Sequence, residues 1–380
     1  MIVRRPGPIG ISSARGPEVA SRVGLALGTA ITICFVTGLL SHWIQHPPGW
    51  FWWPANPVWL YRVTQGAHVI SGVAAIPLLL VKLWAVYPKL FQRPVIGSPL
   101  QLLERGSIAL LVGATIFELS TGLFNIAQYY PWKFFFPTAH YAMAYVVLGA
   151  LAVHLAVKLP VIRRALSSRL DEAEPATEPA GDRHISRRGV LNAAWVAAGV
   201  AVVAVAGQTV PFLRWASLLA PRSGEGPQGV PVNRTAAAAG TSSAARDSGY
   251  RLTVSIGGHS RGFTRAELLA LPQTSARLPI ACVEGWSASA EWSGVRLRDL
   301  LAAVGPYRGG DIRLRSLEAS GLYNSSVLPQ RHALDANTLI ALAINGETLD
   351  LDHGYPCRLI APNRPGVLQT KWLSTIEVLS

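Results

Sequence analysis

The chain is short of charge and of cysteine. Asp, Glu, Lys and Arg make up 14% of its 380 residues, against about 25% in ordinary soluble domains. Apolar residues make up half, and the mean hydropathy is +0.30. This balance excludes a wholly soluble protein and indicates a membrane protein with a soluble part, long enough for two or three domains. The three cysteines, Cys34, Cys282 and Cys357, are too few and too scattered for a disulfide framework, although a single Cys282–Cys357 pair stays open. No basic stretch is interleaved with aromatics as a nucleic-acid groove requires. The net charge of +13 therefore does not imply a nucleic-acid partner. Many of the Lys and Arg residues flank hydrophobic runs, where they set topology.

Long hydrophobic runs are what the chain has instead. Five occur, at about 23–40, 63–86, 106–126, 138–159 and 190–211, each near the ~20 residues that cross ~30 Å of hydrocarbon. Arg4, Arg5, Arg15 and Arg22 precede the first run. Lys82, Lys89, Arg93 and Arg105 separate the second from the third, and Lys158, Arg163, Arg164, Arg169, Arg183, Arg187 and Arg188 separate the fourth from the fifth. The opposite-side loops hold only Arg62 and Lys133. The positive-inside rule then expects a multi-pass protein of the cell membrane, with a cytoplasmic N-terminus and everything after the fifth span extracytoplasmic. The outer loops carry Trp50, Phe51, Trp52, Trp53 and Trp59, then Tyr129, Tyr130 and Trp132, read as an aromatic belt facing lipid.

The expected division is a cytoplasmic tail (1–22), a four-helix membrane domain (23–159), a cytoplasmic linker (160–189), a fifth span (190–213), a flexible Gly/Ala/Pro-rich tether (214–248) and an outer domain (249–380). The linker's Ser186-Arg187-Arg188-Gly189-Val190-Leu191 reads either as a twin-arginine export signal or as the basic flank of a membrane helix.

Histidines inside such runs are functional candidates. His68 lies in the second run, and His140 and His154 in the fourth. The latter two are roughly 21 Å apart along a helix and share a face. By the same rise, His68 lies about 8 Å and His140 about 4 Å below the outer boundary. The spacing expects these two to meet across a haem, with His154, near the inner face, as the candidate ligand of a second haem. His42 and His46 read as interfacial. Glu118, in the third run, reads either as a proton carrier for a quinol or as a packing or snorkelling residue.

From about Gly249 the pattern changes to short alternating segments. Strands are expected at 251–256, 278–283, 311–316, 338–344, 357–360 and 372–379. A helix capped by Thr264 and Glu267, a short helix at 295–301 and a hairpin turn at Asn345-Gly346 complete a compact α+β domain. Within it, Pro279-Ile280-Ala281-Cys282-Val283-Glu284-Gly285-Trp286-Ser287 places a cysteine at a strand end entering a turn. A thiolate there suits a redox metal. The residues leave open a buried core thiol, the disulfide with Cys357, and a nucleophile paired with His259, His332 or His353.

The downstream motifs bear on that choice. Cys282-Val283-Glu284-Gly285-Trp286-Ser287, Trp292-Ser293-Gly294-Val295, Ser316-Leu317-Glu318, Asn345–Leu349, His353–Pro362 and Gln369-Thr370-Lys371-Trp372, in this order, resemble the molybdopterin domain of the sulfite oxidase family. The Cys-Val-Glu-x-Trp-Ser form is nearer to the molybdenum subunit of periplasmic methionine sulfoxide reductase. The resemblance implies that Cys282 ligates molybdenum and that Arg358 and His353 contact the pterin. It gives the Gln369-Thr370-Lys371 strip the phosphate and Ser316 a cofactor-contacting hydroxyl. The family often has a second lysine where Leu368 stands, and only Asn233 offers itself for the family's N-terminal pterin-contacting segment. Separately, His68 with the His140–His154 pair resembles the b-type cytochrome subunits of formate dehydrogenases and nickel hydrogenases. That family's second haem uses an inner first-span histidine, which this chain lacks.

Together these resemblances imply a membrane-anchored molybdenum oxidoreductase. Electrons would pass between the quinone pool, haem b and an outer molybdopterin that reduces a small S-oxide or N-oxide. Sulfite oxidation in the reverse direction, a cytochrome with a degenerate outer binding module, and a Cys282–Cys357 thiol redox protein are the alternatives. Membrane lipid, quinol and a small oxo donor or acceptor are the expected partners.

Overall fold

The computed structural model describes residues 15–90, 99–168, 186–222, 224 and 226–379. Most of the expected tail and linker lies outside them. Five helices are long and apolar enough to cross a membrane: α1 (Pro17–Gln45), α2 (Leu60–Leu90), α3 (Pro99–Ile126), α4 (Phe136–Ser167) and α5 (Arg187–Ala206). They occur where the hydrophobic runs lie, but most extend beyond them because polar flanks continue the helical hydrogen bonding once nucleated. The fifth is shorter than expected, since Gly207 follows Ala206. A Cβ at Gly207 would meet the Arg214 Cα at 2.7 Å and the Ser217 Cβ at 2.6 Å. The chain turns there rather than continuing to 213.

The chain divides into two compact units, one holding the helices up to Val36 and from His68 to Val205, the other Thr37–Ala67 and Ala206 onward. In the first, Val19, Val23 and Leu27 of α1, Ala75 and Leu78 of α2, and Leu191 and Ala194 of α5 form one buried core. Leu80, Leu103, Val157 and Val196 remain exposed, an all-round apolarity compatible with helices that cross a membrane.

The second unit contains two sheets. β1 (Leu252–Ile256) and β2 (His259–Phe263) are followed by α7 (Arg265–Ala270), β3 (Gln273–Ala281), β4 (Ser287–Arg296), α8 (Leu297–Ala302), β5 (Ile312–Ser316) and β6 (Ser325–Leu328). Then come α9 (Gln330–Ala333), β7 (Leu339–Ile344), β8 (Glu347–Thr348), β9 (Arg358–Ile360) and β10 (Leu373–Val378). A short α6 (Ser242–Arg246) precedes them all. One sheet runs β2-β1-β10-β5-β6 and the other β3-β4-β7-β8, with β9 also on β7. The Thr264–Glu267 capping box forms as expected. Asn345 and Gly346 take positive φ (51° and 83°), the conformation a two-residue hairpin turn needs.

Four strands, β2, β4, β6 and the two-residue β8, were not expected. β4 is built largely of Ser, Ala and Gly, poor strand formers singly, but it alternates buried and exposed residues along its outer half. At Gly294 its register with β7 shifts. A Cβ there would lie 2.1 Å from the Ile340 carbonyl oxygen, so only glycine lets the two backbones approach.

Two expected boundaries need correction. The tether is not free: Val230, Ala236, Ala239, Thr241 and Ala245 are buried, and three of these alanines pack with Trp372. Its small side chains, read as linker composition, are what close packing on the domain requires. Likewise Thr37–Ala67, expected in the membrane bundle, packs with the β domain. Trp53 Nε1 donates to the Asn363 carbonyl at 2.8 Å, Tyr61 N to Asn363 Oδ1 at 2.6 Å, and Asn363 Nδ2 to the Pro54 carbonyl at 2.7 Å. Phe51 and Trp53 accordingly cover the domain core, whereas Trp50, Trp52 and Trp59 stay exposed. The expected belt is thus split.

Candidate functional site

β3 ends at Ala281, and the turn it enters is closed by Cys282 N donating to the Trp286 carbonyl at 2.9 Å and Gly285 N donating to the Cys282 carbonyl at 3.0 Å. Gly285 takes φ +90°, a conformation side chains disfavour. Cys282 is fully buried. Burial, and then the neighbouring Glu284 carboxylate, push its thiol up, while the Glu284 and Val283 backbone N–H groups oppose the shift. Trp286 Nε1 donates to Glu284 Oε2 at 3.1 Å. A disulfide with Cys357 is excluded. Both thiols are free, Cys357 belongs to the other core cluster, and its sulfur lies 3.2 Å from Tyr250 Oη. Among the described residues no histidine is hydrogen-bonded to Cys282. His353 Nε2 is bonded to the Pro227 carbonyl at 2.7 Å, and neither ring nitrogen of His332 has a partner.

A cavity beside this turn is lined by Ser316, His353, Arg358, Gln369, Thr370 and Lys371, with Trp286 and Gly366 near the cysteine. A Cβ on Gly366 would lie 3.6 Å from the Cys282 Cα. Six of the seven site residues read from the sequence for this domain therefore share one wall, and Cys282 lies behind it. Arg358 is the most informative. Its Nη1 donates to the His353 carbonyl and its Nη2 to the Gln369 carbonyl, each at 3.1 Å, and burial lowers its pKa to about 9. Lys371 Nζ donates to the carbonyls of Arg234 at 2.5 Å and Asp352 at 2.9 Å. Burial and then Arg358 lower its pKa to about 7. Among the described residues neither forms an ion pair with a carboxylate. Two cations, Arg358 buried and Lys371 half-buried, hydrogen-bonded only to carbonyls, leave a demand for negative charge, which a pterin phosphate meets. The cavity fits that group.

The other expected contacts divide. His353 is neutral, its pKa lowered to about 4 chiefly by burial. Ser316 Oγ donates to the Lys371 carbonyl at 2.9 Å. Thr370 Oγ1 pairs with Ser326 Oγ at 2.7 Å. The Gln369 amide is closed on both polar groups of the Ala361 backbone, at 2.7 and 2.9 Å, so its side chain braces β9 rather than reaching a ligand. Sequence reasoning missed Arg234, Glu318 and Tyr323, which also line the cavity. Arg234 and Glu318 form an ion pair at 2.9 Å. The 230–234 segment lies on this wall with Asn233. Its only sequence signal was a short Pro-Val-Asn-Arg-Thr island in a run of Gly and Ala.

In the helical unit, the rings of His68 and His140 are 6.4 Å apart between centroids, at 70°. His68 Nδ1 bonds the Cys34 carbonyl at 2.9 Å and His140 Nδ1 bonds Thr121 Oγ1 at 3.0 Å, the anchoring at the second nitrogen that orients metal-ligating histidines. His140 Nε2 lies 3.1 Å from Glu118 Oε2, so ligation through it requires Glu118 to swing aside. His68 and His140 are the two histidines that would together hold a haem iron. His154 has Lys82, Lys158 and Glu104 as its charged neighbours and is not brought to His68 or His140.

The family model described as the oxidoreductase molybdopterin binding domain matches residues 239–380, starting inside the segment expected to be a tether. The chain is 32% identical over 130 residues to a protein of Azospira oryzae provisionally named protein-methionine-sulfoxide reductase subunit YedZ1, covering 34% of this chain and 48% of that one. It is 34% identical over 114 residues to a sulfite oxidase of Arabidopsis thaliana, covering 25% and 29%. Among solved structures, the sulfane dehydrogenase SoxCD of Paracoccus pantotrophus shares 27% identity over 34% of this chain and 38% of its own, with a TM-score of 0.32. The chain spans less than half the length of each of these relatives. Its residues 239–380 belong among the oxidoreductase molybdopterin-binding domains.

Proposed function

We propose that this chain is a membrane-bound molybdenum oxidoreductase that takes electrons from quinol and reduces a small S-oxide or N-oxide. The observation that carries the reading is the cavity wall that brings buried Arg358 and half-buried Lys371, neither ion-paired with a carboxylate among the described residues, beside a fully buried Cys282. In this reading Arg358 and Lys371 hold the pterin phosphate, His353 contacts the pterin as a neutral ring, and the Cys282 thiolate ligates the metal. When bound there, molybdenum supplies two-electron oxo transfer. A b-type haem on His68 and His140 supplies single-electron transfer. The balance closes: the S-oxide takes two electrons and two protons to give sulfide and water, and one quinol gives up both.

Glu284 supports the direction and the substrate class. Its carboxylate stands beside Cys282, while the cations crowd the phosphate end. A neutral oxo donor tolerates that polarity, whereas anionic sulfite is repelled by it. The name of the Azospira oryzae relative agrees. The flanking charges set out above support an extracytoplasmic position for the molybdenum domain.

The test is anaerobic. Protein reduced with a soluble quinol analogue is mixed with dimethyl sulfoxide, methionine sulfoxide or trimethylamine N-oxide while the haem spectrum is followed. Reoxidation of the haem, abolished in Cys282→Ser, is the expected result. Haem reduction by sulfite with no reoxidation by any oxide reverses the direction, and no response to either contradicts the reading.

A further inference from the structure

The six backbone carbonyls from Val283 to Ala288 are all hydrogen-bonded, and only one of them by the turn itself. Trp286 O accepts from Cys282 N. Gln65 Nε2 donates to the Val283 carbonyl at 3.1 Å and Gln208 Nε2 to the Glu284 carbonyl at 3.4 Å. Thr209 Oγ1 donates to the Gly285 carbonyl, Arg214 Nη2 to the Ser287 carbonyl at 3.3 Å, and Arg62 Nη2 to the Ala288 carbonyl at 2.5 Å. Ser287 N donates in turn to the Gln208 carbonyl at 2.8 Å. These five side-chain donors belong either to the first turns of α2 or to the segment that follows α5.

Those two segments also meet each other. A Cβ on Gly66 would lie 2.8 Å from Thr209 Cγ2, so glycine permits their contact. A turn whose own closure is two hydrogen bonds would open readily. Gln65, Gln208 and Thr209 fix the turn's carbonyls at Val283, Glu284 and Gly285, and Arg214 and Arg62 hold those of Ser287 and Ala288 where β4 begins.

We propose that the start of α2 and the segment after α5 form a clamp that positions Cys282, with Gln65, Gln208 and Thr209 as its positioning residues. The metal ligand is then set by the first turns of α2 and by residues 208–214, not by the β strands alone. The idea rests on the reading of Cys282 as a molybdenum ligand, but the clamp itself is testable without the metal.

The full-length protein is purified both from a cofactor-competent host and from one unable to make molybdopterin. Gln65→Leu and Thr209→Val are compared with the wild type and with Ser275→Ala, which breaks an exposed Ser275–Ser293 hydroxyl pair at 2.7 Å. In metal-free protein, the alkylation rate of Cys282, resolved from Cys34 and Cys357 by peptide mass spectrometry, is expected to rise about tenfold in each clamp variant. That is what one lost hydrogen bond contributes to an opening equilibrium. Ser275→Ala is expected to leave it unchanged, and Thr209→Ser, which keeps the hydroxyl, to restore the wild-type rate. In the loaded protein, the molybdenum(V) electron paramagnetic resonance signal is expected to shift in Gln65→Leu and Thr209→Val only. Unchanged alkylation in both variants overturns the clamp. Failure of the wild type to bind molybdenum overturns the metal reading instead and leaves the alkylation comparison decisive for the clamp.

Discussion

The guanidinium of Arg358 lies over the indole of Trp292, its central carbon 5.1 Å from the ring centroid. Both residues are almost wholly buried. The ring supplies a face for the cation, and the carbonyls of His353 and Gln369 supply its hydrogen bonds. The arrangement holds a positive charge in place without neutralising it.

Arg358→Lys keeps the charge but loses the two-pronged donation. Molybdopterin content of the purified protein is expected to fall about tenfold or more, the worth of a charge-assisted hydrogen bond. Arg358→Met, which also leaves two buried carbonyls unpaired, is expected to lower stability by about 2 kcal/mol or more in denaturant titration. Full cofactor retention in Arg358→Lys would show that the geometry at this position is not used.

Lys371 gives a pH signature in cofactor-free protein. Its pKa falls from 10.5 to about 7 on folding. Between those values the unfolded chain holds a proton that the folded chain has released, so stability rises with pH across that window and levels off below it. Lys371→Gln is expected to flatten the slope. Bound cofactor, whose phosphate favours the charged amine, is expected to flatten it in the wild type. The thermal midpoint measured between pH 6 and 10, in about half-unit steps, reads this directly. A wild-type curve without the rise would mean that Lys371 stays protonated.

Gly294→Ala places a Cβ 2.1 Å from the Ile340 carbonyl oxygen at the register shift between β4 and β7. Because the obstacle is backbone, the sheet must part. A loss of about 3 kcal/mol or more is expected, seen as a collapse in the yield of folded protein. Gly28→Ala on α1, with nothing within 4 Å of the added carbon, is expected to be neutral.

The histidines separate by geometry. His68→Ala and His140→Ala are each expected to abolish the bis-histidine b-type spectrum, because each removes one side of the 6.4 Å pair. His154→Ala is expected to leave it intact. Reduced-minus-oxidised spectra of the purified variants decide. A b-type spectrum that survives His68→Ala would refute the ligand assignment.

Much of this was legible in the sequence for physical reasons. Helices as long and apolar as α1–α5 announce themselves by composition, and the capping box and the Asn345-Gly346 turn depend on local chemistry alone. The cysteine turn and the Arg358 and Lys371 segments stood out because each motif keeps its residues within a few positions. What stayed hidden depends on distant partners. β4 looked like a loop because Ser and Ala carry little propensity, and its strand is made by pairing with β3 and β7. Residues 230–248 looked like a tether because the alanines that pack beneath Trp372 are the same residues that make a flexible linker. The role of Gln369 as a brace depends on Ala361, eight residues away, and could not be read from Gln369 itself.

The central claim is that Cys282 and the cation wall hold a molybdopterin. Metal and pterin analysis of the purified full-length protein, wild type beside Cys282→Ser, tests it most directly. The account predicts about one molybdenum and one pterin per chain in the wild type. In Cys282→Ser it predicts pterin retained on Arg358 and Lys371, with the molybdenum(V) signal lost or changed. A wild-type protein free of both molybdenum and pterin, from a host that supplies them, would contradict it.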